Sequence, residues 1–122
     1  MKNKMRINIF WQGERLPASL KMKEMQRIAK RLITYLGIKG KELNIIFCSA
    51  TYIRRLAKKY LRKNYTPACL SFPFWEGEKG FLGEIYLNYH SLNDFSLPHL
   101  LEHALKHFLP KGKSKGIGCS KD

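Results

Sequence analysis

"CLSFPFWEGEKGFLGEIYLNY", residues 69–89, sets two apolar stretches on either side of a charged, glycine-bearing six. The first, "CLSFPF" (69–74), reads as a strand. Pro73 has no N–H to offer a ladder, which marks that strand as an edge or a bulged one. "WEGEKG" (75–80) has the composition of a turn. "GEIYLNY" (83–89) alternates with period two, the pattern of a further strand. Which fold these two strands belong to depends on what flanks them.

Upstream, "RINIFW" (6–11) reads as a strand and "GERLP" as the turn after it. From Leu20 the period becomes helical, with Met25, Ile28, Ala29, Leu32, Ile33 and Leu36 on one stripe and Gly37 where a helix C-terminus favours it. "LNIIFCS" (43–49) is a strand too apolar for an exposed edge. "TYIRRLAKKYLRKN" (51–64) is helical, with Ile53, Leu56, Ala57, Tyr60 and Leu61 inside. Downstream, a third helix runs from about Leu97 to Leu109, where Pro110 stops it. The order strand, helix, strand, helix, strand, strand, helix predicts an α+β fold, a small mixed sheet packed with three amphipathic helices. Residues 1–110 form one domain on this reading, and 111–122, rich in Gly, Ser and Lys, a basic flexible tail.

The chain has 122 residues, 44% of them apolar, enough for one domain with a core. No apolar run approaches the ~18 residues of a membrane span, and the start lacks the apolar segment of a secretion signal. Three cysteines, Cys48, Cys69 and Cys119, are odd in number and form no CxxC pair. That argues against a disulfide framework and fits a reducing compartment. A cytoplasmic protein is expected. Lys and Arg number 23 against nine Asp and Glu, a net charge of +14. A small domain this basic points to a polyanion, nucleic acid first. The second helix concentrates the charge, with Arg54, Arg55, Lys58, Lys59, Arg62 and Lys63 on its outer face. It lacks a wide exposed apolar face, which disfavours a membrane surface, and no helix-turn-helix pair supports DNA binding.

Three histidines stand four apart on the third helix: His99, His103 and His107. Its apolar stripe is Leu97, Leu100, Leu101, Ala104, Leu105 and Phe108. At 100° per residue His107 lies roughly 90° and His103 roughly 130° from the middle of that stripe, which disfavours a core role and leaves a solvated flank or a metal ligand. His103 and His107 are roughly 6 Å apart along the axis and can close on one ion, whereas His99 and His107, roughly 12 Å apart, cannot. One helix thus offers two ligands, and a third must come from elsewhere. The Glu that follows the first His in HExxH peptidases is Ala104 here, so that motif is absent.

Taken in order, "LSFPF" (70–74), "LGEIYLN" (82–88) and "HLLEHALKHFL" (99–109) resemble the YbeY-type rRNA maturation endoribonucleases, whose pattern is LSFPF, LGDI and HLxVHGxLHLxGYDH. The preceding "LAKKYLRKNYTP" is similar to that family's LNxxYRxKDxPT, so the resemblance covers roughly Leu43 to Leu109. It implies a YbeY-like α+β fold and a zinc site on the histidine helix. It further implies cleavage of single-stranded RNA in 16S rRNA maturation and ribosome quality control, with rRNA and the ribosomal subunit as partners. By this resemblance His103 and His107 match the first two zinc ligands, His99 a histidine that is not a ligand, and Ser71 the serine of LSFP. The third ligand falls at Lys113, a cation at neutral pH without a free lone pair. The turn before it reads Pro110-Lys111-Gly112, and Pro67-Ala68 replaces a Thr-Asp pair. The family's arginine aligns with Leu61, with Arg62 one place later, and a basic tail replaces an acidic helix.

The expected mechanism is hydrolytic, with a zinc-activated water and Arg62 neutralising charge on the phosphate. Arg54, Arg55, Lys58, Lys59 and Lys63 would track the RNA backbone. Phe72, Phe74 and Trp75 could stack bases, against core packing for the same rings. The competing expectation is a catalytically inactive, metal-poor RNA-binding or ribosome-associated factor of the same fold.

Overall fold

The structure, a computed structural model, describes residues 5–13, 21–74, 80–109 and 117–119, the last three for the backbone only. Its elements are β1 (Arg6–Gln12), α1 (Met22–Leu36), β2 (Glu42–Cys48), α2 (Ala50–Leu56), β3 (Cys69–Pro73), β4 (Phe81–Asn88), α3 (Leu97–Lys106) and β5 (Ile117–Cys119). A π-helical turn, Ala57–Leu61, continues α2, and a 3-10 turn, Tyr89–Asn93, follows β4. The expected α+β class and element order hold. The additions are β5, inside the stretch read as a flexible tail, and the π turn, inside the stretch read as one α-helix. The turns expected at 14–17 and 75–79, Trp75, and Pro110 to Lys113 lie outside the described residues.

The sheet order is β1-β2-β4-β3-β5. β1 to β2 and β2 to β4 are parallel, whereas β3 runs antiparallel to both β4 and β5, so the sheet is mixed. The Phe74 N–H donates to the Leu82 carbonyl on β4, so a donor at residue 73 would face away from β4, and proline's missing N–H costs that ladder nothing. Cys69 is disulfide-bonded, and its register partner on β5 is Cys119. The odd cysteine count therefore did not exclude a crosslink. Cys48 is the free thiol among the described residues.

One face of the sheet carries the main core. Ile7, Ile9, Leu43, Ile45, Phe47, Ile85 and Leu87 pack against Met25, Ala29 and Ile33 of α1 and against the leucines of α3. Burying each such side chain fully contributes about 1.5–3 kcal/mol. The other face holds a smaller cluster, Ile53 and Ala57 of the helix against Cys48 and Leu70. Gly83 sits between the layers with φ 139°, and a Cβ there would overlap the Phe72 carbonyl oxygen on β3. That close approach requires glycine in "LGEI".

Candidate functional site

The histidine helix starts where its sequence directs. The Ser96 hydroxyl accepts the His99 N–H at 3.3 Å, and a proline stands in the first turn, where its missing N–H costs nothing. Leu97, Leu100, Leu101, Ala104 and Leu105 are buried, as the stripe predicts. At its far end the Ala104 carbonyl accepts twice: from the Ser71 hydroxyl at 3.0 Å and from the His107 N–H at 3.2 Å. Ser71, fully buried on β3, thus holds the last turn on which His107 sits.

His103 and His107 are half-buried, with ring centroids 5.6 Å apart and planes at 58°. Two imidazoles bound to one tetrahedral ion at ~2.0–2.1 Å would have centroids roughly 5–5.5 Å apart. The pair is spaced as two ligands of one ion. His99 is elsewhere, exposed and stacked on Phe95 at 5.3 Å and 12°. The pair is also all that the described residues bring, since no group of three or more His, Cys, Asp or Glu side chains converges among them. A catalytic zinc takes three protein ligands and a water. The described residues fit two of those positions and do not complete the set. Lys113, at the third position, lies outside them.

The second helix begins at Ser49, whose hydroxyl accepts the Tyr52 N–H at 3.1 Å. Arg54, Arg55, Lys58, Lys59, Arg62 and Lys63 are all exposed, as the charge pattern predicts. The two ion pairs among the described residues, Arg27–Glu24 and Lys106–Glu102, involve none of them. Arg54 donates to the Asn64 side chain at 2.8 Å. The Lys59 ammonium stands 5.1 Å from the Tyr60 ring centre and that of Lys63 6.0 Å from Tyr65. Among the described residues the face is a row of cations without acidic partners.

Arg62 ends this segment in the left-handed region, φ 57° and ψ 35°. It is the non-glycine residue with positive φ among the described residues. The π turn before it closes on i→i+5 bonds, so it holds one residue more than an α turn. Residue 62 therefore ends the segment about where residue 61 would end an unbroken α-helix. The structure does not put Arg62 on the face that carries the histidines. α2 packs on Leu70 and α3 over Ser71, and neighbouring β3 residues point to opposite faces.

Sequence reasoning singled out Phe72 and Phe74 but missed the tyrosines around Phe72. Tyr60, expected inside, is 55% exposed. Its ring meets Phe72 edge-on at 5.5 Å, Phe72 meets Tyr86 edge-on at 5.7 Å, and Tyr86 lies 6.4 Å from Tyr52. A π turn advances each residue through a smaller angle than the 100° of an α-helix, and this turns Tyr60 outward. Phe74, also exposed, pairs edge-on with Phe81 at 5.5 Å. The Tyr86 hydroxyl donates to Glu84 at 2.9 Å, and burial together with that carboxylate holds its proton well above the ordinary range. Burial pushes the Cys48 thiol up to about 12, which keeps it protonated and unreactive as a nucleophile at neutral pH.

A family model described as Endoribonuclease YbeY matches residues 10–109 of the chain. Among curated proteins, the Endoribonuclease YbeY of Geobacter metallireducens is 32% identical over 63 residues, 52% of this chain and 42% of that relative. The chain thus spans less than half the length of the relative it matches.

Proposed function

The chain belongs to the YbeY endoribonuclease family, and from that premise we propose that it is an endoribonuclease cutting single-stranded RNA, with its reaction centre at His103 and His107. The observation that carries the reading is the pair itself, two imidazoles 5.6 Å apart on a turn that a buried serine of the LSFP stretch holds by hydrogen bond. Zinc is the cofactor this reading assigns to the pair. Bound there, a divalent ion would supply Lewis acidity and a water of lowered pKa. The described residues give it two ligands, so no step is derived through it.

The chain's own residues have the remaining roles. Arg62 ends the helix that packs on the opposite face of the sheet from the histidine pair, so the role proposed for it is to hold a phosphate of the same strand away from the scissile one. Arg54, Arg55, Lys58, Lys59 and Lys63 hold flanking phosphates, which makes affinity fall steeply with salt. The proposed target is the 16S rRNA of the ribosomal subunit, in maturation and quality control, in the cytoplasm. No helix among the described residues is long and apolar enough to cross a membrane.

The test uses protein purified without a polyhistidine tag. Zinc content near one per chain, lost together with cleavage of a labelled single-stranded RNA in the His103→Ala, His107→Ala variant, is the expected result. Zinc near zero and no cleavage, with RNA affinity intact, would overturn the nuclease and leave a metal-poor RNA-binding factor.

A further inference from the structure

The sheet has two faces, and α2 covers only part of the one turned away from α1 and α3. Two cross-strand rows run over that face. One is Asn8, Asn44, Glu84 and Phe72, and the other Phe10, Ile46, Tyr86 and Leu70. Leu70 is buried under α2. Phe10, at the other end of its row, is 50% exposed, and Asn8, Asn44, Ile46, Glu84, Phe72 and Tyr86 are all half-buried. A sheet face that closes a core carries aliphatic side chains. This one carries rings, amides and a carboxylate.

We infer that this uncovered half of the sheet is a platform for the unpaired bases of single-stranded RNA. The inference rests on the proposed RNA substrate and adds where the bases go. Three observations support it. The rings are arranged as a wall and a floor: Tyr52 meets Tyr86 and Tyr60 meets Phe72, so one side of α2 borders the open half, and Phe10 lies across it. Base stacking on such rings tolerates any sequence, because every base has a π-face. The polar groups are placed to read edges. Asn8 donates from its amide nitrogen to Glu42 at 2.6 Å and to Asn44 at 2.9 Å, and Glu84 accepts from Tyr86 through one oxygen only. Among the described residues that leaves an amide oxygen on Asn8, an amide nitrogen on Asn44 and a carboxylate oxygen on Glu84, the acceptors and donor that base edges match.

Charge fixes the orientation. Glu84 lies on the floor and repels phosphates, Glu42 has the cation Arg6 as its cross-strand neighbour, and the Lys59 ammonium stands over Tyr60 at the wall, with Arg55 on the same exposed helix surface. A strand bound here runs its phosphates along α2 and turns its bases onto the sheet.

The test measures binding of a labelled ten-nucleotide single-stranded RNA, by fluorescence anisotropy, to the full chain and to Phe10→Ala. Phe10 is half exposed, so the variant folds. Its affinity is expected to fall about 5- to 100-fold with an unchanged salt slope, since a stacking ring and no phosphate contact is lost. An oligonucleotide of the same length without bases is expected to bind the wild type at least as weakly as RNA binds the variant. Affinity within twofold of wild type for Phe10→Ala, with the base-free strand bound equally well, would overturn the platform and leave the RNA reading in place. No RNA binding by the wild type at all would overturn both. A wild-type dimer that Phe10→Ala converts to monomer, with RNA affinity untouched, would assign the face to a second copy and overturn the inference.

Discussion

The two faces of the sheet are finished in opposite ways. Against α1 and α3, residues such as Leu43, Ile85, Leu87, Leu101 and Leu105 are at or near full burial. The one buried polar side chain between β3 and α3, Ser71, has its hydrogen bond. Against α2, a four-residue cluster is buried and the rest is tyrosine, phenylalanine, amide and carboxylate at the surface. The first face explains why the chain folds, since burial of aliphatic area is the dominant favourable term. The second is costly to leave open unless something uses it. The histidine pair belongs with the first by its helix, and the cations belong with the second.

Substitutions can break or sharpen that contrast. The largest effect is expected at Gly83, where alanine must take up a φ of 139° and its Cβ overlap the Phe72 carbonyl. About 4 kcal/mol of lost stability should appear in guanidinium unfolding of Gly83→Ala. Leu101→Ala, in the layer between α3 and the sheet, should cost about 3 kcal/mol by the same measurement. Ser71→Ala removes one hydroxyl from a closed core and should cost about 1–2 kcal/mol. Because Ser71 acts on His107 through Ala104, it should also weaken zinc binding measured by calorimetry, which a merely structural loss would leave unchanged in the folded fraction. On the other face, Phe10→Ala should stay within about 0.5 kcal/mol of wild type. A large loss there would mean that Phe10 is core and the faces are alike.

The smallest effect is conditional on pH. Folding raises the Cys48 thiol from its ordinary 9.0 to about 12. The unfolded chain therefore releases that proton first as pH rises. The contribution of Cys48 is complete below pH 9 and is lost as pH climbs from 9 toward 12. Unfolding compared between wild type and Cys48→Ala at pH 8 and pH 11 should show the wild type losing more stability across that interval. Equal losses would sink the assignment.

Much of this was legible before any coordinates, for physical reasons that differ by element. The stripe on α1 and the leucines of α3 follow a period of 3.6, and burial enforces that period. The positions of His103 and His107 off the stripe follow from the same geometry. β5 was not legible, because Ile117–Cys119 has no pattern of its own and pairs only because β3 has a free side. The π turn was not legible either, since "AKKYL" reads equally well as α-helix. That single misreading placed Tyr60 inside when it is outside. The third metal donor is illegible for another reason. Sequence spacing can place two ligands on one helix, but a donor from another segment is set by tertiary structure.

The position of β4 in the sheet orders events during synthesis. β1 and β2 pair as soon as both have formed, yet the far side of β2 takes β4 as its neighbour. β4 begins roughly thirty residues after β2 ends, about 2–6 s of elongation at 5–20 residues per second. Through that interval Leu43, Ile45 and Phe47, later among the most buried side chains, sit on a strand with one side unpaired. The β3–β4 pair is local and can form by itself; joining it to β2 is a non-local closure, the slow kind. The nascent chain thus spends seconds as a half-sheet with one open edge, and self-repulsion from the chain's +14 charge keeps that edge from meeting other chains.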